Sequence, residues 1–425
     1  MSASDKIRDL ASTELAGMLV QILPEMLKPD SKGIEQATEE FRKISNQESF
    51  LPTLTQIMVS SETDVSTRQL AAVLFRRRIL KSWKNYPAEM KTLVKAASLE
   101  YLYSSDDQVY HHLAEIVAGI SEHELSNESG WPELLELIMN TTKNSDYGIR
   151  LKGTELLKLV CMQAAVPLVP SYNSLFEHFG VLLAAPDVQQ GNKDTCQNAH
   201  ANVIDAFSAL TPYAEQEHLN NMRALVPRTI QVVQELFQWE ENVGVECLGI
   251  FSELLELEAV NVVNNDIAKQ MVEVSLQISI NDEAEEESRA VALSQIQSLI
   301  KYKKKAFTKF GLVNPLIEEM KKLIVNEEDP DDGIMSGTDG DRTVYTGALQ
   351  VLDQLAMNIP AEQIIQKCAP EISNLLSSSN PKEIRAGLLI LSVIVEGCAD
   401  LIMMNYRVFI LKCENNFCWN LEILK

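Results

Sequence analysis

Apolar residues recur at steps of three and four along most of the chain, which is the period of a helix with one buried face. Val109, Leu113, Ile116 and Ile120 show this pattern, with steps of four, three and four. The alternation of apolar and polar residues that marks a strand is scarce. The pattern therefore predicts an all-α chain of helices joined by short polar turns.

The same four-position template returns along the chain, which indicates an internal repeat. Its copies begin at residues 68, 109, 149, 199, 244, 289, 344 and 384, so the steps are 41, 40, 50, 45, 45, 55 and 40 residues. A two-helix HEAT or armadillo unit occupies roughly 40 to 47 residues. Each interval also leaves room for a preceding helix. We therefore predict a stack of helical hairpins, in which neighbouring hairpins bury each other's apolar faces and the second helices line a concave surface.

Residues at the start of each second helix repeat as well. Asp64 and Asp146 stand four residues before Arg68 and Arg150, and Pro381 stands four before Arg385. We interpret the acidic residues as helix caps and the arginines as ladder contacts between repeats. Trp83 and Trp131 fall on apolar stripes and are predicted to be core residues.

Charge and composition narrow the classes of function. The formal net charge is −23, which argues against nucleic acid as a direct ligand and favours basic proteins as partners; an acidic surface that serves only solubility is the alternative. The longest apolar run is stopped by Glu396, short of a membrane span, so we expect no membrane insertion. The seven cysteines form no CxxC pair, as expected of reduced thiols in cytosol or nucleus.

Motifs for catalysis or metal binding do not emerge from the sequence. We find no HExxH, GxSxG, Walker A or Rossmann pattern. His111 and His112 are adjacent on a helix, about 100 degrees apart, and cannot chelate one metal together. Cys413 and Cys418 lack the spacing of a zinc site. No enzymatic activity, cofactor or metal is therefore expected.

A family resemblance follows from a series of segments in order. Residues 34 to 87 contain IEQATEEFRKI, FLPTLTQIM and TRQLAAVLFRRRILKSWKNYP, and they resemble the amino-terminal module of the importin-beta (karyopherin-beta) family. Further matches are GWPELLELI, LTPYAEQEHLNNMRALVP, YTGALQVLDQLAMNIPAEQI and IRAGLLILSVIVEGCADLI. The resemblance implies a right-handed superhelical solenoid of about nine HEAT hairpins. It also implies three regions: the amino-terminal module (1–100), further HEAT repeats (101–402) and a divergent tail (403–425).

By this resemblance the chain is a nuclear import receptor, or its amino-terminal fragment, found in cytoplasm and nucleus, including the nuclear pore. Its implied partners are Ran in the GTP state, basic cargo such as histones or ribosomal proteins, and Phe-Gly nucleoporins. The candidate Ran-binding residues on the second helices are Arg68, Gln69, Arg76, Gln108, His111 and His112. Two alternatives stay open: a HEAT scaffold subunit without a transport role, and a truncated competitor that binds Ran without carrying cargo.

The longest interval between copies contains an acidic insertion, residues 326–342, reading NEEDPDDGIMSGTDGDR. Its carboxylates form a predicted surface for a basic partner: Glu327, Glu328, Asp329, Asp331, Asp332, Asp339 and Asp341. In relatives an acidic loop lies within the eighth repeat, and this insertion also falls in the eighth. A solvated loop without a ligand is the alternative. A calcium loop is disfavoured because Pro330 would fall at a ligand position, and a phosphate loop would lack its lysine.

Two basic segments are predicted to close second helices, where cations interact favourably with the helix dipole: Arg76 to Arg78, and Lys301 to Lys309. Beyond residue 402 the template ends, and the tail MMNYRVFILKCENNFCWNLEILK departs from the family pattern. We hypothesise that this tail belongs to an alternative or truncated product.

Overall fold

The structure is a computed structural model of the whole chain, and it describes residues 2–47, 49–104, 107–257, 261–326 and 343–404. The side chains of residues 82, 103, 104, 107, 108 and 404 are also outside the description. The acidic insertion, apart from Asn326, and the tail beyond residue 404 therefore lie outside the described residues.

The described residues pack as two compact units, one within residues 1–185 and 190–213, and the other within residues 186–189 and 214–425. The sequence-based division into regions 1–100, 101–402 and 403–425 rests on family resemblance rather than on packing, and it stays a prediction.

Helices account for nearly all regular structure in the first unit. They are α1 (Ala3–Asp9), α2 (Thr13–Leu27), α3 (Ser31–Ile44), α4 (Phe50–Val59), α5 (Val65–Ser82), α6 (Ala88–Ser104), α7 (Asp107–Glu124), α8 (Pro132–Thr142), α9 (Tyr147–Gln163), α10 (Ala165–Leu168), α11 (Tyr172–Leu183) and α12 (Ala199–Leu210). Five hairpins pair α2 with α3, α4 with α5, α6 with α7, α8 with α9 and α11 with α12. The second helices α5, α7, α9 and α12 pack side by side in that order.

The second unit repeats the arrangement with helices α13 (Leu219–Trp239), α14 (Glu241–Cys247), α15 (Gly249–Glu256), α16 (Asn265–Ser279), α17 (Glu286–Lys309), α18 (Val313–Asn326), α19 (Val344–Asn358), α20 (Ala361–Leu376), α21 (Pro381–Ile394) and α22 (Ala399–Met404). Its hairpins pair α13 with α14, α16 with α17, α18 with α19, and α20 with α21, and α15 continues the second helix after α14. The described residues thus contain nine hairpins, as predicted, and the acidic insertion falls between the two helices of the eighth.

Each template copy lies on a second helix, so the predicted repeat of helical hairpins is confirmed. Val109, Leu113, Ile116 and Ile120 are almost fully buried on α7. Trp83 and Trp131 are each 1% exposed, which confirms them as core residues.

The last template copy predicts the wrong buried face of its helix, α21. On α21 the buried residues are Ala386, Gly387, Ile390 and Ile394, whereas Leu388 and Val395 of the template are exposed. Among the described elements, α21 packs against α18, α19 and α20, and the template residues face away from these helices. Apolar periodicity identified the helix, but it did not identify which of its two apolar faces has a neighbour.

The acidic residues before the second helices act as caps. The Asp64 carboxylate accepts a hydrogen bond from the Thr67 amide, and that of Asp146 accepts one from the Ile149 amide. At α21 the cap is Asn380, and Pro381 occupies the first helical turn. Each cap satisfies an amide that has no partner within its helix.

Arg68, Arg150 and Arg289 hold the turn of their own hairpin, which is a contact within a repeat where the sequence predicted contacts between repeats. Arg68 Nε donates to the carbonyl of Met58 at 3.1 Å, and Arg289 Nε donates to that of Ser279 at 3.0 Å. Arg150 Nη1 reaches the carbonyls of Asn144 and Ser145. These carbonyls lie at or just beyond the carboxyl end of a first helix, where helical partners are lacking. The repeated arginine therefore joins the two helices of a hairpin.

The first basic segment does not close its helix as predicted, because α5 continues to Ser82 and its last turn contains only Lys81 as a cation. Arg76 and Arg78 instead bind side chains of other helices or turns, Glu115 and Asn46. The second segment does end its helix, at Lys309, after a kink at Lys303.

No single helix among the described residues is both long and apolar enough to cross a membrane. One bent pair, Tyr147–Gln163 with Ala165–Leu183, meets the length and composition test jointly, at an angle of 104°.

Candidate partner-binding surface on the second helices

Three of the sequence-predicted site residues meet on adjacent second helices of the first unit. Arg76 on α5 binds Glu115 on α7 at 2.6 Å. The same carboxylate lies 3.4 Å from His112 Nδ1 and 3.9 Å from His111 Nε2. On its other side, His111 Nδ1 lies 2.6 Å from the carboxylate of Glu155 on α9. We call Arg76, His111, His112, Glu115 and Glu155 the second-helix network.

The network couples three helices through charge. Burial acts to raise the pKa of Glu115, but the hydrogen bond and positive charge of Arg76 outweigh it, so that pKa lies below its usual value. The hydrogen bond with Glu155 raises the pKa of His111, against the opposing effect of partial burial. Protonation of His111 would give Glu115 and Glu155 a shared cation.

Contacts of the same kind continue along the stack. Lys158 on α9 lies 3.5 Å from Asp205 on α12. The Tyr110 hydroxyl on α7 donates to the Lys152 carbonyl on α9 at 2.7 Å, and the Lys152 ammonium lies over the Tyr110 ring. Second helices α5, α7, α9 and α12 therefore present one polar, charged surface. It can bind a protein by ion pairs and hydrogen bonds.

The remaining Ran-binding candidates occupy different environments. Arg68 is only 5% exposed and binds the turn of its own hairpin, so a structural role accounts for it. Gln69 is half-buried and already has an interaction partner. The side chain of Gln108 lies outside the described residues, as do all seven carboxylates of the acidic insertion. Partner contact by these residues stays a prediction.

Farther along α5 and α7, a buried hydrogen-bonded group ties α5, α6 and α7 together. Trp83 Nε1, at the end of α5, donates to Glu124 Oε1 at 2.9 Å. Lys95 on α6 binds the other oxygen of Glu124 at 2.7 Å. Burial acts to raise the pKa of Glu124, but its hydrogen bonds to Lys95 and Trp83 hold it below the usual value. This group holds in place the helices that carry Arg76 and Glu115.

Within the described residues, no group of three or more His, Cys, Asp or Glu side chains is arranged to hold a metal ion. His111 and His112 each face a carboxylate instead.

The chain is similar in sequence to known proteins. A family model described as the importin-beta N-terminal domain matches residues 35–104, which include α5 and α6. Importin-4 of Homo sapiens is 29% identical over 400 residues, covering 91% of this chain and 36% of the relative. Importin-4 of Mus musculus is 27% identical over 395 residues, covering 90% and 35%.

Solved karyopherin structures have the same fold. Kap121p bound to RanGTP matches with a TM-score of 0.70 at 19% identity, covering 94% of this chain and 38% of that one. Kap121p bound to Nup53p matches with a TM-score of 0.73 over the same shares. This likeness shows the karyopherin HEAT-repeat fold and confirms the predicted fold class.

The chain is similar in sequence to importins over about nine-tenths of its length, and residues 35–104 match the importin-beta N-terminal domain. It corresponds to the amino-terminal portion, as the sequence resemblance indicated, and spans about a third of the length of its importin-4 relatives. Importins are nuclear transport receptors, and its homologues are of this kind rather than enzymes.

The site residues predicted from the sequence did not include Glu115 and Glu155. Glu115 could have been found, because it follows His111 by four residues and His112 by three, and such residues are neighbours on a helix. Glu155 had no comparable signal. Its approach to His111 depends on the offset between α7 and α9, which the spacing of template copies does not specify.

Proposed function

We propose that this chain serves nuclear protein import and binds Ran in the GTP state through the second helices of its first unit. The observation that carries the proposal is the second-helix network, in which Arg76, His111 and His112 meet on adjacent helices. Two of those helices, α5 and α7, lie in or beside the segment matched by the family model. Kap121p, which shares the fold over 94% of this chain, has been solved bound to RanGTP.

Basic proteins are the proposed cargo, with histones and ribosomal proteins as examples. The net charge of −23 favours basic partners over nucleic acid. The acidic insertion, with Glu327, Glu328, Asp329, Asp331, Asp332, Asp339 and Asp341, is the proposed contact for cargo or Ran. Binding of Ran and cargo to one chain with opposite effects would make release a coupled equilibrium.

Passage through nuclear pores implies contact with Phe-Gly nucleoporins and residence in both cytoplasm and nucleus. Kap121p has been solved bound to Nup53p, which supports a nucleoporin partner for a chain of this fold.

Calorimetric titration of the purified chain with Ran, loaded with either a GTP analogue or GDP, tests the proposal. We expect binding in the GTP state only, weakened by Arg76→Ala. Arg42→Ala is the matched control, because Arg42 is an exposed cation on α3, outside the network. Equal binding of both nucleotide states, or of neither, would refute the proposal.

The contribution of the acidic insertion is tested separately, by replacing its seven carboxylates with the corresponding amides. We expect weaker binding of a histone or ribosomal protein. Unchanged cargo affinity would remove the insertion from the proposed site and leave the Ran proposal standing.

A further inference from the structure

A polar pocket of about 480 Å³ lies in the second unit, between the end of α17, the start of α18 and the first turns of α20. Buried Phe307 and Val313 form part of its lining. The remaining lining is largely polar and comprises Thr308, Asn314, Gln363, Gln366 and Lys367, with Gly311. Three of these side chains are amides, each of which can both donate and accept hydrogen bonds. The pocket therefore suits a ligand that presents donors and acceptors together.

Two exposed lysines stand one helical turn from this pocket. Lys304 and Lys305 precede Thr308 on α17 by four and three residues, so the three side chains share one side of the final helical segment. Within the described part of the chain, neither ammonium group has an ion-pair partner. They form a cationic rim on an acidic protein.

The neighbouring Lys303 has a different role. A kink separates it from the helical segment that follows, with φ −128° and ψ 33° at this residue. Its ammonium donates to Asn261 Oδ1 at 2.8 Å and so holds the turn before α16. The cationic rim therefore consists of Lys304 and Lys305, while Lys303 is structural.

The opposite wall is close to neutral. Lys367 is paired with Glu318 and lies 3.9 Å from Glu371. Lys321 binds Glu371 at 2.7 Å. These four groups alternate in sign between α18 and α20, so their charges offset one another. Beyond this balanced set, Lys304 and Lys305 add two positive charges on α17, one helical turn before Thr308.

We propose that this pocket, with the cationic rim, docks an acidic extended segment of a partner protein. Carboxylates of the segment would pair with Lys304 and Lys305, and its peptide groups would exchange hydrogen bonds with Asn314, Gln363 and Gln366. A phosphate ligand fits less well, because its oxygens only accept and cannot use the amide carbonyls. The proposal goes beyond Ran and basic cargo, which are assigned to the second-helix network and the acidic insertion.

A nucleic acid is the less favoured polyanion on physical grounds. The Debye length at physiological ionic strength is about 8 Å, so a short acidic segment at the rim is shielded from distant carboxylates. A duplex would extend well beyond the two lysines, over a protein whose net charge is −23. Local charge therefore favours a short peptide.

Fluorescence anisotropy with a fluorescein-labelled peptide of alternating Glu and Ser tests the proposal on the full chain. We expect saturable binding that K304E/K305E weakens about tenfold, equivalent to about 1.4 kcal/mol. K304Q/K305Q should lie between the two, and N314A/Q366A should weaken binding without changing its salt dependence. K32E/K43E is the matched control, since both lysines are exposed on α3 in the first unit and the charge change is the same. Thermal melts by circular dichroism establish that each variant is folded.

Other outcomes overturn the proposal. No peptide binding, or equal weakening by K32E/K43E, would mean that Lys304 and Lys305 form no specific site. Tighter binding of a labelled DNA duplex or of inositol hexakisphosphate than of the peptide would mean that the partner class is wrong. Neither result depends on Ran binding, so failure here is distinguishable from failure of the proposed function.

Discussion

Replacement of Glu124 by alanine tests the packing of α5, α6 and α7 most directly. The carboxylate is 6% exposed and accepts hydrogen bonds from Trp83 Nε1 and Lys95 Nζ, at 2.9 and 2.7 Å. A hydrogen bond to a charged group contributes about 1.5–3 kcal/mol. Trp83 is buried, so its indole N–H would be left without a partner. Lys95 is partly exposed, and its ammonium would regain water. We therefore expect Glu124→Ala to destabilise this region by about 3 kcal/mol.

Amide hydrogen exchange is the appropriate assay, because a repeat protein can open locally without unfolding as a whole. The free energy of opening of α7 amides should fall by about 3 kcal/mol in Glu124→Ala, and by less in Glu124→Gln, which keeps an acceptor for Trp83. Glu122→Ala is the control, since Glu122 is exposed on the same helix. An effect of Glu124→Ala no larger than that of Glu122→Ala would refute the reasoning.

The Glu124 carboxylate also predicts that the stability of the folded chain depends on pH. Its pKa in the folded chain is below the ordinary value of 4.5, so the stabilisation is fully present above that value. It is lost as pH falls through the folded pKa. The stability difference between wild type and Glu124→Gln should therefore shrink in acid, whereas a constant difference would contradict the lowered pKa.

Three further predictions concern other parts of the chain. The pKa of His111 is raised in the folded chain, so its stabilising contribution is present below the ordinary value of 6.5 and is lost as pH rises through the folded value. An NMR titration should give His111 a higher pKa in wild type than in Glu155→Gln. Equal pKa values in the two proteins would contradict the contact. A Cβ on Gly244 would lie 2.3 Å from the Cα of Phe237, so Gly244→Ala should lower the free energy of unfolding in urea by about 1–3 kcal/mol. A Cβ on helical Gly17 would meet open space, so Gly17→Ala should instead raise that free energy by about 0.5–1 kcal/mol. Among the described cysteines, exposed Cys196 should react first with iodoacetamide, while burial raises the pKa of Cys368 to about 12 and protects it; peptide mass spectrometry that finds Cys368 alkylated before Cys196 would contradict this order.

Much of the fold could be predicted because each helix is marked by local patterns in the sequence. Apolar residues at steps of three and four, a capping residue such as Asp64 or Asp146, and a constant distance between copies are all properties of the chain alone. They led to the second helices and to the position of the acidic insertion in the longest interval, whereas the count of about nine hairpins came from the family resemblance. The same local signals failed at α21, whose two apolar faces look alike in sequence and differ only in what packs on them.

The candidate surface could be predicted only in part. Arg76, His111 and His112 were identified from the family resemblance, and the structure brings them together around Glu115. Arg68 was also predicted to bind Ran, yet its guanidinium donates a hydrogen bond to the carbonyl of Met58 in the turn of its own hairpin. Whether a polar side chain on a second helix is free or engaged depends on the neighbouring helix end, which sequence spacing does not describe.

The sequence by itself thus determined the helical repeat, its phase on most second helices and the family that the chain resembles. Tertiary structure decided which side chains meet: Glu155 with His111, Trp83 with Glu124, and Lys304 and Lys305 beside a polar pocket. The physical reason is the range of the interactions. Helix periodicity and capping act within one turn, whereas ion pairs between hairpins depend on the offset and rotation of packed helices, and these follow from how whole apolar faces interlock.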